Sequence, residues 1–72
     1  MNKRELMAAM ARHGDTGGSL AEYLGMARST FSQKINENGT QFNQGEISMI
    51  KSRYNLSPEE IDAIFFAEAV SK

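Results

Sequence analysis

The sequence predicts an all-α fold of five short helices, and three features carry that prediction. Four stretches place a cap-forming side chain three residues before a glutamate that can reach back to the cap N–H: Asn2-x-x-Glu5, Ser19-x-x-Glu22, Asn43-x-x-Glu46 and Ser57-Pro58-Glu59-Glu60. Apolar residues recur three or four positions apart, the spacing of one helical face. No segment alternates apolar and polar residues as a half-buried strand would.

Helix one opens at Asn2, turns Leu6 and Met10 inward and stops at His13-Gly14. A second break is expected at Gly17-Gly18, so helix two is read from a Ser19 cap over Leu20 to Leu24, with Leu20, Ala21 and Leu24 inward. Gly25 ends it. Helix three turns Phe31 and Ile35 to the core and ends at Asn38-Gly39. That pair also suits a hairpin, but its flanks do not alternate, so it is read as a helix end and a loop. Helix four starts at Asn43, buries Ile47 and Ile50 and ends at Asn55-Leu56. Helix five starts at Ser57, with Pro58 in the first helical position where a missing N–H costs nothing, and buries Ile61, Ile64 and Phe65. Phe65 and Phe66 are adjacent, about 100° apart on a helix, so one of them is expected to be exposed.

A chain of 72 residues has room for one core, and residues 1–72 are read as one domain. With no cysteine there is neither a disulfide framework nor thiolate chemistry, which fits a reducing compartment. No apolar run approaches the roughly 20 residues that span a bilayer, and the polar-flanked MNKRELMAAMARHG is not a secretory pattern. A cytoplasmic protein with no membrane partner is expected. His13 is the only histidine and is expected at the carbonyls that end helix one; a metal site would need partners the chain lacks. Asp15, Glu59 and Glu60 are the imaginable catalytic carboxylates, but capping explains the last two and no nucleophile accompanies them. No catalytic residue, metal or cofactor is therefore assigned. Met7, Met10, Met26 and Met49 are expected to fill gaps in the core.

The formal charge of -1 argues against a strongly basic nucleic-acid binder, but its distribution is uneven. Residues 1–54 hold seven Lys or Arg against five Asp or Glu, whereas residues 55–72 hold one against four. Between Glu22 and Glu37 there is no acid, while Arg28 and Lys34 fall inside that window. A weakly positive face is expected there.

The same window holds LAEYLGMARSTFSQKIN, two short helical patterns joined by Gly-Met-Ala. Ala21 is small enough for two backbones to approach closely. Gly25 can take positive φ at a turn where the helix crossing is expected to leave little room, and Met26 packs behind it. Ala21, Gly25 four on and Phe31 six further have the spacing of a helix-turn-helix. This segment resembles the helix-turn-helix of the lambda-repressor-like and Cro-like regulators. With TFSQKIN, Gln41-Phe42-Asn43-Gln44-Gly45-Glu46-Ile47, Leu56-Ser57-Pro58-Glu59-Glu60-Ile61 and Ile64-Phe65-Phe66, the wider chain resembles small temperate-phage regulators of that superfamily.

The resemblance implies a compact five-helix lambda-repressor-like domain, acting in a bacterial host cell, whose third helix enters the major groove of double-stranded operator DNA. Carried over position by position, Arg28, Ser29, Ser32, Gln33 and Asn36 face the base edges. Arg reads guanine through two acceptors, Gln reads adenine, and Ser bonds to either. Ser19, Lys34, Asn43 and Gln44 hold phosphates. Two positions depart from the family pattern: Gly17 stands where Gln is common, and Ala27 stands where a Ser caps helix three.

Two functions follow as expectations. The first is a phage-type transcriptional regulator that binds operator DNA without a cofactor. The second is an antirepressor, or modulator of repression, that keeps the scaffold but binds a partner phage repressor and blocks its DNA binding. The acidic C-terminal residues and the Ala27 cap favour the second, with Phe66 and Val70 as the partner-binding pair; the same pair suits a homodimer.

Overall fold

Five helices follow one another as α1 (Lys3–Arg12), α2 (Gly17–Leu24), α3 (Arg28–Ile35), α4 (Gln44–Tyr54) and α5 (Pro58–Phe65). The structure is a computed structural model that describes residues 1–66, and no strand occurs among them.

Side chains at the caps set four of the five starts. Asn2 accepts the Glu5 N–H at 3.2 Å. Asn43 and Glu46 exchange bonds of 2.8 and 3.0 Å, and Ser57 and Glu60 exchange bonds of 3.1 and 2.8 Å behind Pro58. For α2 the expected start is corrected. Its cap is Thr16, whose hydroxyl accepts the Ser19 N–H at 3.1 Å while Ser19 Oγ accepts the Thr16 N–H at 2.9 Å. Gly17-Gly18 is therefore the first turn of α2 and not a break. N–H groups in that turn have no intrahelical partner, so two poor helix formers there cost little. α3 alone begins without a side-chain cap, at Ala27.

Four helices end alike. Gly14, Gly25, Glu37 and Asn55 take φ of 72°, 76°, 52° and 53°. After each, the next N–H reaches five residues back: Asp15 to the Met10 carbonyl, Met26 to Ala21, Asn38 to Gln33 and Leu56 to Lys51, at 2.8–3.0 Å. This closure satisfies carbonyls the helix leaves open. α3 thus stops at Ile35, before the Asn38-Gly39 signal, because a glutamate supplies its left-handed residue. The expectation of a crowded Gly25 is also corrected: a Cβ built there meets nothing within 4 Å, so the position demands a conformation, not space.

The helices close over Leu6, Leu20 and Ile50, one residue each from α1, α2 and α4, all fully buried. Phe31, Phe42 and Phe65 continue the core as a chain of rings 5.8 and 6.1 Å apart, linking α3, the α3–α4 connection and α5. The Asn2 N–H bonds to the Ile64 carbonyl and ties the start of the chain to α5. Met10 is buried and Met26 packs against the core, but Met7 and Met49 are surface residues. Each follows or precedes a buried neighbour, Leu6 and Ile50, and one residue of helical rotation carries it outward. Phe65 is buried and Phe66 is 52% exposed. Val70 lies outside the described residues.

Candidate nucleic-acid interface

α3 buries Phe31 and Ile35 and exposes Arg28, Ser29, Ser32, Gln33 and Asn36. At about 100° per residue, Gln33 falls opposite the buried pair and Ser29 lies beside it. Arg28 and Ser32 then form one flank and Lys34 the other. Ser29, Gln33 and Arg28 make no side-chain hydrogen bond or ion pair among the described residues.

On the first flank, Arg28, Ser32 and Asn36 line a groove of about 270 Å³ together with Lys3, Met7 and Met10 of α1. Lys3 Nζ donates to Asn36 Oδ1 at 2.6 Å, and Asn36 Nδ2 donates to the Ser32 carbonyl at 2.9 Å. The Asn36 amide is thereby turned toward α1. On the other flank, Lys34 Nζ donates to both carboxylate oxygens of Glu46 at 2.8 and 2.9 Å, and the two side chains are only 14% and 16% exposed. Burial works to raise the Glu46 carboxyl, but Lys34 and the Asn43 N–H outweigh it and hold the group below its ordinary value. Lys34 is thus neutralised in place. Asn43 caps α4, and Gln44 is exposed on its first turn.

Ser19 belongs to a different cluster. Its Oγ donates to Asp15 Oδ1 at 2.7 Å. Asp15 also accepts Arg53 Nε and Nη2 at 2.7 and 2.9 Å and the Tyr54 hydroxyl, with its side chain 7% exposed. Arg53 lies over the Tyr23 ring, 4.5 Å from its centroid, and the His13 ring stacks on Tyr54 at 4.7 Å. His13 stands at the carbonyls that end α1, as expected, but through its backbone N–H, 3.3 and 3.1 Å from the Ala9 and Met10 oxygens, while its ring is taken up by this stacking. The Arg53 bond, above the Tyr54 and Ser19 bonds, holds the Asp15 carboxyl well below the usual carboxylate range; burial and Asp15 push the Tyr54 phenol up.

Lys3 and the Asp15 cluster were not legible as partners of anything. The Lys3 bond and the Arg53 and Tyr54 bonds to Asp15 each reach across more than thirty residues of sequence, and no local spacing marks such a pairing. Among the described residues no group of three His, Asp or Glu side chains is placed to hold a metal ion, and no helix is long and apolar enough to cross a membrane. Comparison with known proteins finds no matching family model, no matching curated protein and no matching solved structure.

Proposed function

We propose that the chain is a sequence-specific DNA-binding transcriptional regulator of the small phage type it resembles, with α2 and α3 as its helix-turn-helix. The observation that carries this reading is the outward face of α3. Ser29 and Gln33 stand opposite the buried Phe31 and Ile35 with their hydrogen-bonding groups uncommitted, on a helix without an acid. Such residues suit base edges in the major groove, which present paired donors and acceptors. Ala21, 1% exposed, and the left-handed Gly25 support the same reading, since a close two-helix unit needs a small residue and a tight turn there. Selection from a pool of randomised duplexes, followed by mobility shift at rising salt, tests it. A recovered consensus and a complex that weakens with salt are expected; no enrichment and no complex at low salt would overturn it.

One observation favours a second reading, the antirepressor. Phe66 is half exposed beside a groove of about 190 Å³ lined by Met1, Glu37, Phe42, Ile47 and Phe65, and the exposed side of α5 carries Glu59, Glu60 and Asp62 with no cation. An apolar anchor with an acidic rim fits a basic protein face, such as the DNA-binding face of a repressor. Mixing the chain with the repressor encoded beside it tests this: co-elution and release of that repressor's operator support it, and separate elution removes it.

A further inference from the structure

We infer that the α1 side of α3 is a phosphodiester clamp, with Lys3 and Arg28 gripping the DNA backbone while Gln33 and Ser29 read bases; this rests on the DNA-binding reading. The two flanks of α3 differ in charge. On the α4 side the α3 cation, Lys34, is closed into a nearly buried pair with Glu46, and the exposed start of α4 beside it is neutral, Asn43 and Gln44. On the α1 side both cations line one groove, and neither has a carboxylate partner among the described residues. Arg28 opens α3. Lys3 comes from the first turn of another helix and is held at the far end of α3 by the Asn36 amide. The backbone positions from which the two are presented, Arg28 and the Asn36 that holds Lys3, are eight residues apart, about 12 Å of helix at 1.5 Å each, with Ser32 between. Two cations and a hydroxyl in a row beside a reading face match a sugar-phosphate strand at the groove edge, whereas a base edge presents no charge. Arg28 accordingly holds the strand and does not read guanine, and Asn36 positions Lys3 and does not read adenine.

The test measures affinity against salt for a random pool of 20-bp duplexes and for a duplex recovered by selection. Lys3→Ala and Arg28→Ala each lower the slope of log affinity against log salt by about 0.9, an eightfold loss near 0.1 M salt, equally on both DNAs. Lys3→Arg restores the slope. Lys34→Ala combined with Glu46→Gln preserves net charge and the α4 capping pattern, and leaves the slope unchanged. Circular dichroism confirms that each variant is folded. Wild-type binding with unchanged slopes in both single variants, or a loss confined to the selected duplex, would overturn the clamp alone. No wild-type complex even at low salt would overturn the DNA-binding reading and the clamp with it.

Discussion

Two regions of the molecule are built on opposite plans. Where the α1–α2 connection meets α4, Asp15 accepts bonds from Ser19, Arg53 and Tyr54, and rings of Tyr23 and His13 cover the cluster. Along the outward face of α3, Ser29, Gln33 and Arg28 bond to no side chain among the described residues, and the helix lacks even a side-chain cap. Polar groups satisfied inside the protein hold the scaffold, and their loss is felt as instability. Polar groups left open to water contribute little to stability, and their loss is felt only by a ligand.

The largest effect is expected where the first plan is broken at its centre. Asp15→Ala leaves Tyr54 and Ser19 without their acceptor and an arginine without its counter-charge, which costs about 2–4 kcal/mol. In a domain of this size each kcal/mol lowers the melting temperature by about 4–8 °C, so thermal and urea melts both register the loss. A melt unchanged from the parent would show that the cluster does not hold α4 to the α1–α2 connection.

The same cluster fixes the pH profile. The Asp15 pKa is depressed, so its contribution is present above the unfolded carboxyl value near 3.9 and is lost as pH falls below it. The Tyr54 pKa is raised, so its contribution is present below the unfolded value near 10 and is lost as pH rises beyond it. Stability measured against pH should therefore form a plateau between about 4 and 10, falling on both sides. Asp15→Asn shrinks the acid limb and leaves the part that comes from Glu46 beside Lys34, whereas Ser29 and Gln33 variants leave both limbs in place.

Between the two regions lies the turn that joins α2 to α3. Gly25→Val places a β-branched residue at φ of 76°, in open space, so the cost is conformational alone, about 1–3 kcal/mol. Gly25→Asn, a residue that tolerates this region, should lose much less. Equal losses in both variants would mean that crowding and not backbone geometry governs the position. One step smaller and opposite in sign is Ala27→Ser. Ala27 already has the extended geometry of a cap, φ -67° and ψ 152°, and lacks only an acceptor for the open N–H groups of α3. A gain of about 1 kcal/mol in urea denaturation is expected.

Legibility in the sequence divided along the same line. Caps and stops that act over three or four residues were readable: Asn43 with Glu46, Ser57 with Glu60, and Gly25 all stand where local chemistry requires them. Thr16 was missed because Ser19 with Glu22 offered an equally good local pattern, and only the fold decides which hydroxyl caps. Glu37 was missed because a glutamate carries no signal for a left-handed residue; here its carboxylate sits 3.1 Å from the chain's N-terminal amine. The outward order of α3 followed from helical rotation alone, with Phe31 and Ile35 fixing the inside. What rotation could not reveal is which outward residues are already engaged. Lys34 with Glu46 and Lys3 with Asn36 depend on how α4 and α1 pack against α3, which no spacing within α3 encodes.

Gln33→Ala sharpens the comparison by having almost no effect on the fold. The side chain lies opposite the core, makes no hydrogen bond among the described residues and lends its helix nothing that alanine does not, so the melt should stay within about 0.5 kcal/mol of the parent. Its effect should appear on DNA instead. A glutamine amide that pairs with adenine through both of its groups discriminates by roughly 1–3 kcal/mol at one base pair, so the variant should relax preference at a single position of a selected consensus while its binding to random duplex stays the same. A stability loss as large as that of Asp15→Ala would place Gln33 in the scaffold. Equal weakening on selected and random DNA would make it a strand contact like Lys3, and either result would erase the division between a satisfied scaffold and an open reading face.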